Sequence, residues 1–181
     1  MLLDTPICDF GWKAPSFTLK DPDGKSYSLE SQIGEKGLLI AFICNHCPYV
    51  QAVIDRLVAD AKVLQQEGIN VLAIMSNDYS YVPSDSPANM KRFANLHRFT
   101  FPYLVDENQS VGKAYGAVCT PDFFCFNAKG ELQYRGRLDD ARMGDATNRK
   151  TELLDAMRLI ASTEKGPQEQ IPSMGCSIKW S

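Results

Sequence analysis

Leu38-Leu39-Ile40-Ala41-Phe42-Ile43-Cys44-Asn45-His46-Cys47-Pro48-Tyr49-Val50 is the stretch on which the fold turns. Its first six residues form an unbroken apolar run after Gly37. A short run without alternation reads as a strand buried on both faces. From Pro48 the period changes: Val50, Val53, Ile54, Leu57, Val58, Ala61 and Leu64 recur at helical spacing. Pro48 suits the first helical position, because the N–H it lacks would be unpaired there. Gly68 stops the helix, and Ile69 to Met75 is a second buried strand. Strand, helix, strand implies a parallel pair joined by a right-handed crossover.

Working outward, Phe17, Leu19, a turn at Asp21-Pro22-Asp23-Gly24, then Tyr27 and Leu29 predict a hairpin near the start. Beyond the crossover, Ser84 to Pro87 reads as a loop capping a helix over Ala88 to Leu96. Tyr103 to Val105 is a short strand, and Ser110 to Tyr115 a short helix ending near Gly116. Phe123 to Phe126 and Leu132 to Arg137 form a second hairpin around Ala128-Lys129-Gly130. A closing helix runs from about Thr151 to Ala161. The expectation is one α/β domain over 1–181, a central mixed sheet flanked by helices, with 166–181 as a docked tail. Met174, Cys176, Ile178 and Trp180 alternate there as an extended segment would, and disordered ends are poor in such residues.

Composition narrows the function. A chain of 181 residues can bury a proper core, and 44% hydrophobic with 23% charged residues is ordinary for a globular protein. A net charge of −3 argues against a nucleic-acid partner. No apolar run reaches the roughly 18–20 residues of a membrane helix. Met1-Leu2-Leu3-Asp4 has no basic start. A cytoplasmic location is expected, where free thiols persist.

Of six cysteines (Cys8, Cys44, Cys47, Cys119, Cys125 and Cys176), only Cys44 and Cys47 have motif spacing. No second such pair exists, so a four-thiolate zinc site is not signalled and neither metal nor cofactor is expected. The sulfur that attacks a disulfide or peroxide must be a thiolate. Cys47 immediately precedes the helix, where unpaired N–H groups and the helix dipole favour an anion. It is expected to be the more acidic and the more exposed of the two. His46 could lower its pKa further. Asn45 reads as a loop residue only, Cys125 as core packing and Cys8 as incidental.

Four segments resemble the peroxiredoxin-like branch of the alkyl hydroperoxide reductase and thiol-specific antioxidant superfamily. They are Ala14-Pro15-Ser16-Phe17-Thr18-Leu19, Phe42 to Pro48, Cys119-Thr120-Pro121-Asp122-Phe123-Phe124, and Gly175-Cys176-Ser177-Ile178-Lys179-Trp180. The resemblance implies a thioredoxin fold and a thiol-disulfide oxidoreductase or antioxidant. In such proteins the attacking cysteine comes about five residues after the last strand aromatic, which from Phe42 gives Cys47. Val50 then stands where thioredoxins keep their second cysteine, and the partner sulfur is Cys44. The other register, with Cys44 attacking and Cys47 resolving, stays open. Thr120-Pro121 matches the cis-proline that faces the active thiol, which brings Cys119 close as a third thiol or a packed wall. Cys176 is a possible second resolving cysteine.

Peroxiredoxins present a threonine and a proline at positions occupied here by Cys44 and Ile40. A weak peroxidase is therefore the first alternative. A metal-binding or redox-sensing module using Cys44, Cys47 and His46, with Cys119, is the second. Expected partners are a protein disulfide or peroxide substrate and a thiol reductant such as a thioredoxin-type protein. Arg137, Asp139, Asp140 and Arg142 read as a solvated ion-pair loop, with Arg137 or Arg142 as possible thiolate or substrate supports.

Overall fold

The computed structural model describes residues 1–181. Strand β1 (Leu2–Asp4) precedes a hairpin of β2 (Thr18–Lys20) and β3 (Ser26–Ser28) and the one-turn helix α1 (Leu29–Gln32). The parallel unit follows as β4 (Leu38–Phe42), α2 (Pro48–Gln66) and β5 (Asn70–Met75). Next come α3 (Pro87–Leu96), β6 (Tyr103–Val105), α4 (Ser110–Tyr115), β7 (Cys119–Thr120) and β8 (Asp122–Phe126). The chain closes with β9 (Leu132–Tyr134), α5 (Glu152–Thr163) and β10 (Met174–Ser177).

Seven strands make the central sheet in the order β3-β2-β6-β5-β4-β8-β9. β5 runs parallel to β4 and to β6, whereas β8 is antiparallel to β4. This mixed sheet between helices is the expected thioredoxin fold. The unbroken apolar run has its physical reason in β4. Leu39 and Ala41 enter the core shared with Ile54 and Leu57 of α2 and Met157 of α5. Leu38, Ile40 and Phe42 enter the opposite core with Tyr115, Phe124 and Phe126. Each such aliphatic or aromatic burial stabilises the fold by about 1.5–3 kcal/mol.

One expected boundary shifts, and one strand is new. The return strand stops at Tyr134 and does not reach Arg137. The Arg135 amide leaves the ladder to bond Gln170 Oε1 at 2.8 Å. Its guanidinium turns inward to Asp122, 2.8 Å away, and lies over the Phe124 ring. Strand β1 was not foreseen, since three residues carry no readable period. Removing one partner of a buried ion pair costs about 3–5 kcal/mol, because the other charge is left unpaired. Arg135→Met is expected to lose that much in urea unfolding, and Asp122→Asn in the same chain to restore part of it. A loss below ~1 kcal/mol would show that Asp122 does not depend on this arginine.

β10 lies between β1 and β7 in a second, three-stranded sheet. Cys176 stands opposite Leu2 on one side and Thr120 on the other. Ser173 Oγ donates to Pro121 O at 2.8 Å, and the Lys179 amide donates to Asn77 Oδ1 at 2.8 Å. Gln109 Nε2 donates to Lys179 O, also at 2.8 Å. Gly175 passes so close to β7 that a Cβ there would fall 1.9 Å from Thr120 O.

Candidate active site

The loop leaving β4 carries Cys44 to Cys47, and Cys47 is the N-cap of α2 with Pro48 in the first turn. Its side chain makes no capping bond, so the sulfur is left to receive donors. The Val50 amide, which donates to the Cys47 carbonyl at 3.0 Å, also favours a negative charge on that sulfur. Cys44 and the amide and thiol of Cys176 also favour its thiolate form. These contacts hold Cys47 far below the ordinary thiol range, the Cys44 bond contributing most, against an opposing effect of burial. The same bond, with burial and the charge of Asp85, pushes Cys44 well above that range. For both sulfurs the leading cause is the bond between them, to which the helix start adds the Val50 amide.

Exposure is not as expected. Cys47 is 0% and Cys44 1% accessible. The reason is β10, which brings Cys176 onto the Cys47 sulfur.

Opposite the loop, the Thr120–Pro121 peptide is cis. Thr120 Oγ1 is 3.3 Å from Cys44 Sγ, and in its thiol form Cys47 Sγ donates to Thr120 O at 3.4 Å. Cys119 is buried and faces Pro121 O at 3.9 Å. Burial and the Asp122 charge push its thiol up to about 12, which suits a packed wall more than a third nucleophile. Cys176 is raised as well, by burial and by its bond to Cys47. Cys125 is fully buried in β8, and burial raises Cys8 to about 11.

Asp85 is the residue that sequence reasoning missed. It ends a short 3₁₀ turn, Pro83–Asp85, and is fully buried beneath the cysteine loop. Its Oδ1 accepts the amides of Asn45 (2.8 Å) and His46 (3.3 Å). Its Oδ2 meets His46 Nδ1 at 2.5 Å and accepts from Asn77 Nδ2 at 2.9 Å. Asn45 is more than the loop residue it was expected to be. It is buried, donates to Ser84 O and accepts from the Tyr103 hydroxyl at 2.8 Å. Polar atoms of Cys44, His46 and Asp85 all lie within 4.8 Å of one another. The 2.5 Å contact inside that group is a hydrogen bond, shorter than the spacing of two ligands around one ion.

Beside Pro121 a cleft of about 270 Å³ is floored by Tyr49, Val53, Phe123 and Met174, with Arg142 among its lining residues. The ion-pair loop next to it is partly buried. Asp139 is held by Arg56 (2.8 Å) and Arg149 (3.2 Å), and Arg137 is committed to Glu152 (2.6 Å).

Known proteins share this architecture. An uncharacterized conserved protein from Geobacillus kaustophilus superposes with a TM-score of 0.94 and 39% identity, over 100% of this chain and 97% of that one. Thiol-disulfide oxidoreductase ResA of Halalkalibacterium halodurans is 24% identical over 129 residues, 71% of this chain and 69% of that protein. Peroxiredoxin Q, chloroplastic, of Populus jackii is 28% identical over 106 residues, 59% of this chain and 46% of that protein. Residues 10–135 match the AhpC/TSA family across most of the chain. With the cysteine loop and the Thr120–Pro121 turn both inside that span, the chain belongs to the AhpC/TSA family.

Proposed function

We propose that this protein is a thiol–disulfide oxidoreductase in which Cys47 attacks and Cys44 resolves. The carrying observation is the place of Cys47 at the N-cap of α2, with Cys44 on the same loop and the cis Thr120–Pro121 turn within 3.3–3.4 Å of both sulfurs. The Cys47 thiolate attacks one sulfur of a disulfide. A bond forms to it, and the other sulfur leaves as a thiolate. Cys44 then gives up its proton, attacks Cys47 Sγ and expels the second thiolate. The protein ends with a Cys44–Cys47 disulfide and the substrate with two thiols, a two-electron exchange. A thioredoxin-type dithiol returns the protein to its reduced form. Pro121 and the neighbouring cleft receive the substrate segment, and Cys176 is a reserve resolving thiol.

Reduced protein mixed with one equivalent of a chromogenic aromatic disulfide is expected to release two equivalents of coloured thiolate. Peptide mapping should then find Cys44 bonded to Cys47. A disulfide that excludes Cys47 would overturn the assignment. In a Cys44→Ser protein, a Cys47–Cys176 bond is the expected product, and its absence would return Cys176 to packing.

A second reading is peroxide reduction, favoured by the Thr120 hydroxyl at the sulfur pair. A hydroperoxide would convert the Cys47 thiolate to a sulfenate and leave as the alcohol; Cys44 would condense with it and release water. Thiol and amide donors, and not a guanidinium, lower Cys47 here. Slow oxidation by hydrogen peroxide in stopped flow is therefore expected beside fast disulfide exchange.

A further inference from the structure

We propose that β10 occupies the place a substrate has to take, and that it specifies the substrate: an extended protein segment whose reacting cysteine directly follows a glycine. The inference rests on the reading that Cys47 attacks. That attack needs an open path to the sulfur, yet Cys47 is 0% accessible. What covers it is a paired strand. β10 runs antiparallel to β7, sets Cys176 opposite Thr120 and carries the Cys176 thiol to the Cys47 sulfur. The chain thus holds one of its own cysteines where an incoming sulfur must arrive. A mixed disulfide keeps its two Cα atoms within about 4.4–6.8 Å. A substrate cysteine bonded to Cys47 therefore has to stand about where Cys176 stands.

Gly175 supplies the specification. Its φ lies outside the left-handed region, so the backbone conformation there is open to any residue. What excludes a side chain is contact. A Cβ at Gly175 would lie 1.9 Å from Thr120 O, 2.5 Å from its carbonyl carbon and 3.0 Å from Pro121 N. All three are backbone atoms, which cannot swing aside as the end of a side chain would. Thr120 O is also 3.4 Å from Cys47 Sγ. Successive Cα atoms are about 3.8 Å apart. In a segment that takes over this register, the residue before the cysteine therefore passes over the same carbonyl. Glycine clears it and alanine does not. Met174, one residue further back, shares a strand side with Cys176. It floors the cleft with Tyr49, Val53 and Phe123, so an apolar residue belongs at that place in the segment.

β7 offers backbone groups, with which any extended segment can pair in place of β10. Two further anchors of the tail, the Ser173 hydroxyl on Pro121 O and the Ile178 amide on Val118 O, at 2.8 and 3.1 Å, also end on backbone oxygens. Once the segment is seated, the Cys47 thiolate attacks its cysteine sulfur. A bond forms between those two sulfurs, the segment's original S–S bond breaks, and the far sulfur leaves as a thiolate. Cys44 then closes onto Cys47 and expels the segment; the proton Cys44 gives up balances the one the segment's thiolate takes.

The peptide Ser-Met-Gly-Cys-Ser and its forms with alanine or valine at the third place test this, each with its cysteine joined to a chromogenic aromatic thiol. The aromatic thiolate is the better leaving group, so attack on the peptide sulfur is read as colour. Dividing each rate by that of the same peptide with a small free thiol removes differences in intrinsic reactivity. The glycine peptide is expected to react at least ~5-fold faster than the alanine peptide, the lower bound for an overpacked contact, and valine to be no faster than alanine. A smaller glycine-to-alanine ratio overturns the inference. In Gly175→Ala all three rates are expected to rise by a common factor with the ratios kept, because the strained tail competes less while Thr120 O still faces the segment. Unchanged rates in a folded Gly175→Ala overturn it equally, and the native series decides it alone should that variant fail to fold. Failure of the underlying reading looks different: in acid-quenched samples the peptide would be found on a cysteine other than Cys47, whatever residue precedes its own.

Discussion

A Cys47→Ser protein will react with a disulfide at least ~10³-fold more slowly than the native chain at pH 7. The expectation follows from what the other sulfurs lack. A thiol with its pKa near 12, as burial leaves Cys119, is ionised to about one part in 10⁵ at that pH. Cys8, near 11, reaches about one part in 10⁴. Cys44 is raised by its bond to Cys47 and by burial, and Cys176 by burial first and then by Cys47, so burial keeps both high when Cys47 is replaced. Weaker thiolates are individually somewhat better nucleophiles, which trims the factor without reversing it. Rates taken under excess aromatic disulfide check this. A Cys47→Ser protein reacting within tenfold of the native rate would show that another sulfur attacks.

Gly175→Ala should loosen the cover over the site. A Cβ at Gly175 would lie 1.9 Å from Thr120 O and 2.5 Å from its carbonyl carbon, so β10 has to move off β7. Overpacking of this kind costs on the order of 1–3 kcal/mol, and here the strain falls on the pairing that buries Cys47. If labelling of Cys47 proceeds through opening of β10, that cost raises the open population by about 5- to 150-fold. Alkylation of Cys47 at pH 8 should accelerate accordingly. Its pH midpoint should also move upward, because the amide and thiol of Cys176 no longer favour the thiolate. An unchanged labelling rate would mean that substrates reach Cys47 by another path.

The parts of this protein that could be read from sequence are those whose physics is local. Leu38–Phe42 announces a strand buried on both faces because each of its side chains meets a core. Cys47 beside Pro48 announces an anion site because a helix begins there. The alternation from Met174 likewise points to an extended segment, and β10 occupies its first four residues. Asp85 could not be read in this way. It lies in a polar stretch, Ser84 to Pro87, that looks like a helix cap, and Ser86 does cap α3 through the Asn89 amide. Its partners at Asn45 and His46 are about forty residues away, and a buried acid with distant donors leaves no periodic trace. The same holds for Cys47 and exposure. The helix start favours an anion at its sulfur, but a strand some 130 residues later decides whether solvent reaches it.

Competitive alkylation of the reduced protein across pH 4–10, quantified peptide by peptide, tests the division of roles most directly. A thiol held below its ordinary pKa stays thiolate, and stays reactive, as pH falls through neutrality; a thiol held above it gains reactivity only as pH rises into the alkaline range. Cys47 should therefore be labelled first at pH 6, with Cys44 following only at high pH. Preferential labelling of Cys44 at pH 6 would contradict the account and make Cys44 the attacking sulfur.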